Sequence, residues 1–199
     1  EKANDKLIRL HDIADVKYGI KTGANKFFFI DSEKIEKWGL ESDYLRPAIK
    51  SPREFSSLVV SSKETKHKLF VCNRSKNQLK NTAALEYIRW GEKQGFHERS
   101  STKNRKRWWD LGSQNPSHAN LSYLVNEFLK IFYSDESVLV SDNFQEIHTK
   151  GIQAEKVVAA CCSVVCQLSL NVLGRSNFGG GLLKIQTYEV GNLIIPNPE

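Results

Sequence analysis

The sequence predicts an α+β fold in which mixed, largely antiparallel sheets pack around a long buried C-terminal helix. The first observation behind this prediction is a series of short strand-like runs with irregular connections, which favours antiparallel or mixed sheets over alternating βαβ units. The second is that residues 153–173 form the longest periodic segment and are apolar nearly all round, as is typical of a buried helix. The polar residues that argue against a membrane span in this segment are Glu155, Lys156, Gln167 and Asn171.

The most informative feature of the sequence is a polar, cationic loop that is followed directly by an aromatic segment. This central loop comprises residues 19–26, and Gly19 and Gly23 permit a positive φ or a close backbone approach. Its hydrogen-bond donors are Lys21, Thr22, Asn25 and Lys26. Residues 27–30 are predicted to form a short buried strand. We expect the strand to hold the loop while the loop offers donors to phosphates or base edges.

The other elements are predicted from local patterns. Helices are predicted at residues 32–38, ending at Gly39, and at residues 83–90, capped by Thr82 and with Gly91 near the end. The remaining predicted strands are residues 7–16 (with a turn of helix), 58–60, 68–72, 130–133, 137–140, 144–148, 182–185 (or a helical turn) and 193–196. Residues 45–47 and 51–53 each contain a proline and are predicted as turns.

Chain length and composition indicate a single domain spanning residues 1–199. The 199 residues suffice for one sizeable core, and a hydrophobic content of 40% with a mean hydropathy of −0.46 is typical of a soluble globular protein. No apolar run is long enough to span a bilayer and no signal peptide is found, so we expect a cytoplasmic location and no membrane partner. The chain begins with Glu1 and contains no Met, from which we expect a fragment of a larger protein.

The positive charge is concentrated in two segments. Residues 60–80 contain six cations and one anion, residues 88–109 contain seven cations and two anions, and the whole chain carries a net charge of +6. Two basic segments on an otherwise slightly acidic body indicate a surface that faces a polyanion. Solvated lysine-rich loops without a partner are the alternative.

The four cysteines do not predict a disulfide or a metal site. They are Cys72, Cys161, Cys162 and Cys166. Three lie within one helical pattern, where the side chains diverge, and none has finger-like spacing to a histidine. We expect small buried thiols.

Several motifs occur in an order that resembles a known family. The first is Gly-x-x-Thr-Gly-x-Asn-x-x-Phe, from Gly19 to Phe28, entered through residues 10–16. The others are Tyr44-Leu45-Arg46-Pro47, Arg89-Trp90-Gly91, Arg107-Trp108-Trp109-Asp110-Leu111 and residues 174–181. Together they span most of the chain, and the chain resembles the TaqI-like C-terminal specificity domain. This is the target-recognition domain of adenine-specific DNA methyltransferases and related restriction-modification enzymes.

The resemblance implies a domain that binds double-stranded DNA at a short specific sequence for a methyltransferase domain of the same parent chain. The parent would flip an adenine out of the helix and use S-adenosylmethionine. The catalytic half of the family is missing, because the sequence has no Pro-Pro-Tyr/Phe motif and residues 179–181 lack the strand and helix of a cofactor loop. We therefore expect no catalytic residue and no cofactor in this chain.

The candidate DNA-binding residues come from the central loop, from the second basic segment (residues 88–109), and from the glycine-rich turn at residues 177–181 and the strand that follows it. They are Lys21, Thr22, Asn25, Lys26, Arg89, Arg105, Lys106, Arg107, Asn177 and Lys184. Arg, Lys and Asn can read guanine and adenine edges, and Lys and Arg neutralise phosphates. Trp108 and Trp109 follow the basic run, and we expect them in the core rather than stacked on bases.

Two other function classes stay open. Asp43, Glu64 and Lys66 loosely match the acidic pair plus lysine of a metal-dependent nuclease. A protein-docking module of a restriction-modification complex is the second alternative, in which the aromatic and basic surface binds an acidic partner.

Overall fold

A computed structural model describes residues 6–126, 128–134, 138–175 and 182–199. The strands are β1 (Leu7–Arg9), β2 (Ala14–Tyr18), β3 (Phe29–Ile30), β4 (Leu45–Ile49), β5 (His67–Phe70), β6 (Ala119–Ser122), β7 (Leu124–Val125), β8 (Ile131–Tyr133), β9 (Leu139–Val140), β10 (Phe144–Thr149), β11 (Leu183–Lys184) and β12 (Ile194–Pro196). The α-helices are α1 (Leu10–Ile13), α2 (Asn25–Phe28), α3 (Ser32–Trp38), α4 (Ala83–Lys93), α5 (Ala154–Cys161), α6 (Val164–Leu173) and α7 (Thr187–Gly191).

In the described ranges, the strands form two four-stranded sheets and two short two-stranded sheets. The first large sheet has the order β2-β10-β6-β8 and is antiparallel throughout. The second has the order β3-β5-β4-β9 and is antiparallel except for the parallel pair β4–β9. The small sheets pair β1 with β12 and β7 with β11. The predicted α+β fold with mixed, largely antiparallel sheets is confirmed.

Among the described residues, two hydrophobic cores and a smaller cluster that draws on both large sheets hold these layers together. The first core is rich in aromatic side chains and joins the β3-β5-β4-β9 sheet to α4, with Phe27, Tyr87 and Trp108 among its buried residues. The second core is aliphatic and joins the other large sheet to α5 and α6. A third cluster combines residues of both large sheets, such as Val140 and Phe144, and so connects the two cores.

The long buried C-terminal helix is not present. The segment is divided into α5 and α6, whose axes meet at an angle of 70°. The break lies at Ser163, whose hydroxyl accepts a hydrogen bond from the Cys166 amide at 3.2 Å and so begins a new helix. Within α6 only Cys166 and Leu170 are buried. Among the described residues no single helix is long and apolar enough to cross a membrane, and α5 with α6 reaches that length only across the bend.

The helices predicted at residues 32–38 and 83–90 are both present, the first with its predicted C-terminal end and the second with its predicted N-cap. Helix α3 covers residues 32–38 and ends at Gly39, which is left-handed with a φ of 59°. Its N-cap is Asp31, whose side chain accepts a hydrogen bond from the Lys34 amide. Helix α4 is capped by Thr82, but it continues past Gly91 to Lys93.

The segment at residues 27–30 is helical in its first half and extended only in its second. The Phe27 and Phe28 amides both donate to the Ala24 carbonyl, at 2.8 and 3.1 Å, and close one turn of helix before β3. This turn points consecutive phenylalanines into the first core, where a strand would alternate their faces.

Other strand predictions are confirmed in part. Residues 7–16 contain β1, α1 and the beginning of β2, and residues 58–60 form only an isolated bridge from Val59 to Tyr133. The turn predicted at residues 45–47 is part of β4. Strand β6 was not predicted, because Asn120 and Ser122 interrupt its apolar pattern although all four of its residues are buried.

Candidate nucleic-acid interface

The first half of the central loop is fixed against the connection between β9 and β10. The Gly19 amide donates to the Phe144 carbonyl at 3.0 Å, and the Ile20 amide donates to the Val140 carbonyl at 2.8 Å. A Cβ atom at position 19 would overlap the carbonyl oxygen of Ser141. Glycine is therefore required here for close backbone approach.

Thr22 and Asn25 hold the second half of the loop. Thr22 is only 1% exposed, and its hydroxyl accepts a hydrogen bond from the Ala24 amide at 3.2 Å. The same hydroxyl donates to the side-chain oxygen of Asn25. The Thr22 side chain thus stabilises the loop from within, whereas Asn25 is half-buried at its surface.

The central loop is bound from the other side by the basic loop, residues 95–107. The Gly23 carbonyl accepts hydrogen bonds from Ser101 Oγ at 3.2 Å and from Arg99 Nη1 at 3.5 Å. The Lys21 carbonyl accepts one from Arg105 Nη2 at 3.1 Å. Gly23 has a φ of +73°, and a Cβ atom there would overlap the Ser101 side chain. Two features that are distant in the sequence therefore form one surface.

Arg105 connects this surface to the core below it. Its guanidinium also donates to the Trp108 carbonyl at 3.4 Å and lies 5.9 Å from the centre of the Phe28 ring. Burial lowers the pKa of Arg105 from its ordinary value, although nearby Asp110 opposes this effect. Its main contacts are thus with the protein itself.

Arg107 and Arg89 are each paired with a carboxylate. Arg107 donates to Asp110 Oδ2 from Nε at 3.0 Å and from Nη2 at 2.5 Å, in a partly buried pair. Arg89 lies 2.6 Å from Glu86 one turn earlier on α4, and both side chains are exposed. Exposed pairs of this kind contribute little stability, so Arg89 can exchange its partner at low cost.

Four exposed lysines flank the contact between the two loops. They are Lys21, Lys26, Lys103 and Lys106. Across the described part of the chain, no ion pair or hydrogen bond engages any of their ammonium groups. The site residues predicted from the sequence did not include Arg99 and Lys103. Both lie in the second basic segment, and that position is the signal that could have identified them.

Lys184 is connected to the central loop through a chain of side chains. Its ammonium lies 5.2 Å from the centre of the Tyr123 ring, which meets the Tyr18 ring edge-on at 5.7 Å. Tyr18 directly precedes the central loop, and its hydroxyl donates to Gln186. Asn177 lies outside the residues that the structure describes.

The loops lie on the aromatic residues of the first core. Trp108 and Trp109 are each 6% exposed, which confirms that they are core residues. The Phe27 ring centre lies 4.5 Å from that of Trp108 and 4.7 Å from that of Tyr87, whose hydroxyl donates to the Phe27 carbonyl. A Cβ atom at Gly91 would overlap both Phe27 and Trp108. This packing gives a rigid base to an otherwise polar surface.

The residues of the nuclease alternative are not part of a ligand cluster. Asp43 and Glu64 lie in separate short 3₁₀ turns and are exposed. Within the described ranges no group of three His, Cys, Asp or Glu side chains could hold a metal ion. All four cysteines are free, and Cys162 is exposed while the other three are buried.

The architecture is that of a domain found in restriction-modification enzymes. The structure superposes on the type IIG restriction endonuclease BpuSI with a TM-score of 0.66, at 18% identity over 98% of this chain and 24% of that chain. It superposes on the type IIL restriction-modification enzyme MmeI, solved in complex with DNA, with a TM-score of 0.62, at 16% identity over 90% of this chain and 24% of that chain. These similarities establish the fold.

The chain belongs to the family defined by the C-terminal domain of the type II methyltransferase M.Eco57I, whose model matches residues 2–199. It is also 23% identical over 138 residues to the type II methyltransferase M.AccI of Acinetobacter calcoaceticus, covering 66% of this chain and 25% of that protein. The chain thus spans about a quarter of the length of these relatives. The expected relationship to C-terminal specificity domains is confirmed.

Proposed function

We propose that this chain is a target-recognition domain that binds double-stranded DNA at a short specific sequence. The observation that carries the proposal is the contact between the central loop and the basic loop, which leaves Lys21, Lys26, Lys103 and Lys106 exposed around a fixed backbone. Membership of the family and the fold shared with restriction-modification enzymes support it.

The electrostatics of this surface suit a duplex. Each lysine that neutralises a phosphate releases a condensed counterion, so binding should weaken steeply as salt is added. The paired and partly buried arginines hold the loops in place. Less conformational entropy is therefore lost when the loops bind DNA. Arg99 is exposed, and its bond to the Gly23 carbonyl is long at 3.5 Å, so its guanidinium can also contact a guanine edge.

We further propose that the chemistry resides elsewhere in a longer parent protein, in a methyltransferase region that acts on adenine with S-adenosylmethionine as methyl donor. The glycines of the central loop do not fit that cofactor, because the space beside Gly19 and Gly23 is filled by Ser141 and Ser101. Helix α2 after them is a single turn of four residues, too short to present a cofactor-binding N-terminus. The domain itself would grip and read the DNA.

The test is fluorescence anisotropy of the isolated domain with a random-sequence duplex and a matched single strand across a salt series. We expect preference for the duplex and a steep salt dependence. Substituting Lys26→Ala or Lys106→Ala should each reduce the slope of log affinity against log salt by about 0.9 if the lysine contacts one phosphate.

The matched control is Lys156→Ala, because Lys156 is also exposed but lies on α5, which packs against the second core. This substitution should leave the slope unchanged. Salt-independent binding, or an equal change with the control, would contradict a DNA surface at these loops. A protein-docking role would then become the better explanation.

A further inference from the structure

Helix α6 exposes an apolar stripe on the side that faces away from the second core. Val164, Leu168 and Val172 are 74%, 60% and 84% exposed, and their spacing of four residues places them along one side of the helix. Cys166 and Leu170, on the opposite side, are fully buried. A solvated helix normally carries polar residues at such positions.

The stripe continues into a groove of about 480 Å³ between α6 and the β1–β12 pair. Leu7 of β1, Ile194 of β12 and Tyr188 of α7 line the groove, and each is at least 40% exposed. The Ile194 amide donates to Ser169 Oγ at 3.0 Å, which fixes the strand pair against the helix. A contiguous patch of large apolar side chains on a fixed frame is typical of a protein-interaction surface.

The polar groups of the groove do not fit a polyanion. Arg9 donates to the side chain of Asn192 at 2.6 Å, and Glu189 is paired with Arg175 at 2.7 Å. The exposed lysines lie on loops that pack on the first core, whereas the groove is lined by α6 and the β1–β12 pair, which pack on the second. An apolar protein surface is therefore the partner that the groove fits.

We infer that this groove docks the methyltransferase region of the same parent chain, an inference that rests on the proposal that such a region exists. The family is defined by the C-terminal domain of longer enzymes, and about three quarters of the curated relative lies outside the matched part. Strand β1 begins at Leu7, close to the first matched residue, and forms one wall of the groove. Because the family is that of a C-terminal domain, a methyltransferase region that precedes it in the parent chain would connect to β1 beside the groove.

A tethered partner needs only a modest apolar surface. Because the two regions share one chain, the effective concentration of the partner is of the order of millimolar for a short linker. Interfaces between domains of one chain commonly bury about 600–1,500 Å². A contact of this kind at the groove and stripe would orient the parent's catalytic region relative to the proposed DNA surface.

The test is carbene footprinting, which labels exposed aliphatic side chains, of the parent chain and of this domain alone. We expect labelling of α6 to fall several-fold in the parent chain, whereas Leu58, which is 55% exposed, keeps its labelling. Equal labelling of α6 in both proteins would overturn the inference. So would protection in the domain alone that grows with protein concentration together with a doubled mass, or protection that requires lipid vesicles.

A double substitution of the exposed stripe tests whether the stripe makes the contact with the partner region. L168Q combined with V172Q should leave the melting temperature and the duplex affinity of the domain alone unchanged, because both side chains are exposed. In the parent chain it should abolish the footprint difference, while L58Q should not. If the unsubstituted domain does not bind a duplex, the proposed function is refuted. The footprint result does not depend on that outcome, so the two failures can be distinguished.

Discussion

At the scale of single residues, Gly23 and Gly112 offer a matched pair. Both are left-handed, with φ of +73° and +74°, but a Cβ atom would overlap Ser101 at Gly23 and would meet nothing within 4 Å at Gly112. Gly112→Ala should therefore cost about 1 kcal/mol for the backbone conformation alone. Gly23→Ala should cost about 1–3 kcal/mol more, because the basic loop must move.

Chemical denaturation of the two variants measures this difference, and the salt series shows its effect on DNA. If the loop contact carries function, Gly23→Ala weakens duplex binding and Gly112→Ala does not. Equal destabilisation by both alanines would show that the packing of Ser101 against the central loop is dispensable.

Glu146 on β10 makes a second prediction, about pH. Burial raises the pKa of Glu146 above its ordinary value of 4.5, although His148, 3.1 Å away, and Lys17 lower it in part. The folded protein then holds a proton at this carboxyl over a pH window in which the unfolded chain has lost it. Its contribution to the free energy of unfolding therefore falls as pH rises from 4.5 through the raised value.

Urea unfolding at several pH values between 4.5 and 8 tests this, using Glu146→Gln, which cannot titrate, against the wild type. The stability of the variant relative to the wild type should increase with pH. The exposed Glu155→Gln on α5 is the control and should keep a constant offset. A constant offset for Glu146→Gln as well would mean that its burial has no effect on ionisation.

At the scale of elements, local signals predicted best. Helices α3 and α4 were predicted correctly because a local signal lies at a boundary of each. The left-handed backbone of Gly39 ends α3, and the side chain of Thr82 caps the beginning of α4. The same kind of signal at Ser163 was outweighed by the apolar run around it. Burial on one side of α6 depends on its partners, so composition alone could not separate a buried helix from one with an exposed apolar stripe.

The candidate site was predictable in its parts but not in its assembly. The glycines of the central loop and the cations of the basic loop are visible in the sequence, but Gly23 meets Arg99 and Ser101 across 76 and 78 residues. By contrast, Asp110 lies three residues after Arg107, so that ion pair could have been anticipated. Thr22 was predicted as a donor to DNA, and no signal in the sequence indicated its burial or its hydrogen bonds within the loop.

At the scale of the whole molecule, the two cores should unfold together. The third cluster combines Ile49 and Val140 of one large sheet with Phe132 and Phe144 of the other. The central loop also crosses from β2, in the sheet of the second core, to α2 in the first. Separating the cores would expose this cluster and break the hydrogen bond from the Ile20 amide to the Val140 carbonyl.

The four tryptophans provide a reporter for one core, because Trp38, Trp90, Trp108 and Trp109 all belong to the first core. Leu170→Ala removes a fully buried side chain from the second core and should cost about 2–5 kcal/mol. In thermal unfolding, we expect this change to lower the midpoint of tryptophan fluorescence by as much as that of far-UV circular dichroism, by about 5–15 °C.

The control is Val172→Ala, on the exposed side of the same helix, which should move neither midpoint. If Leu170→Ala shifted circular dichroism and left tryptophan fluorescence in place, the cores would be independent units. The central loop would then be joined to the second core only by its chain. Coincident shifts would mean that the proposed DNA surface on the first core and the apolar groove on the second are parts of one cooperative structure. A partner docked at the groove would then be held in a fixed position relative to that surface.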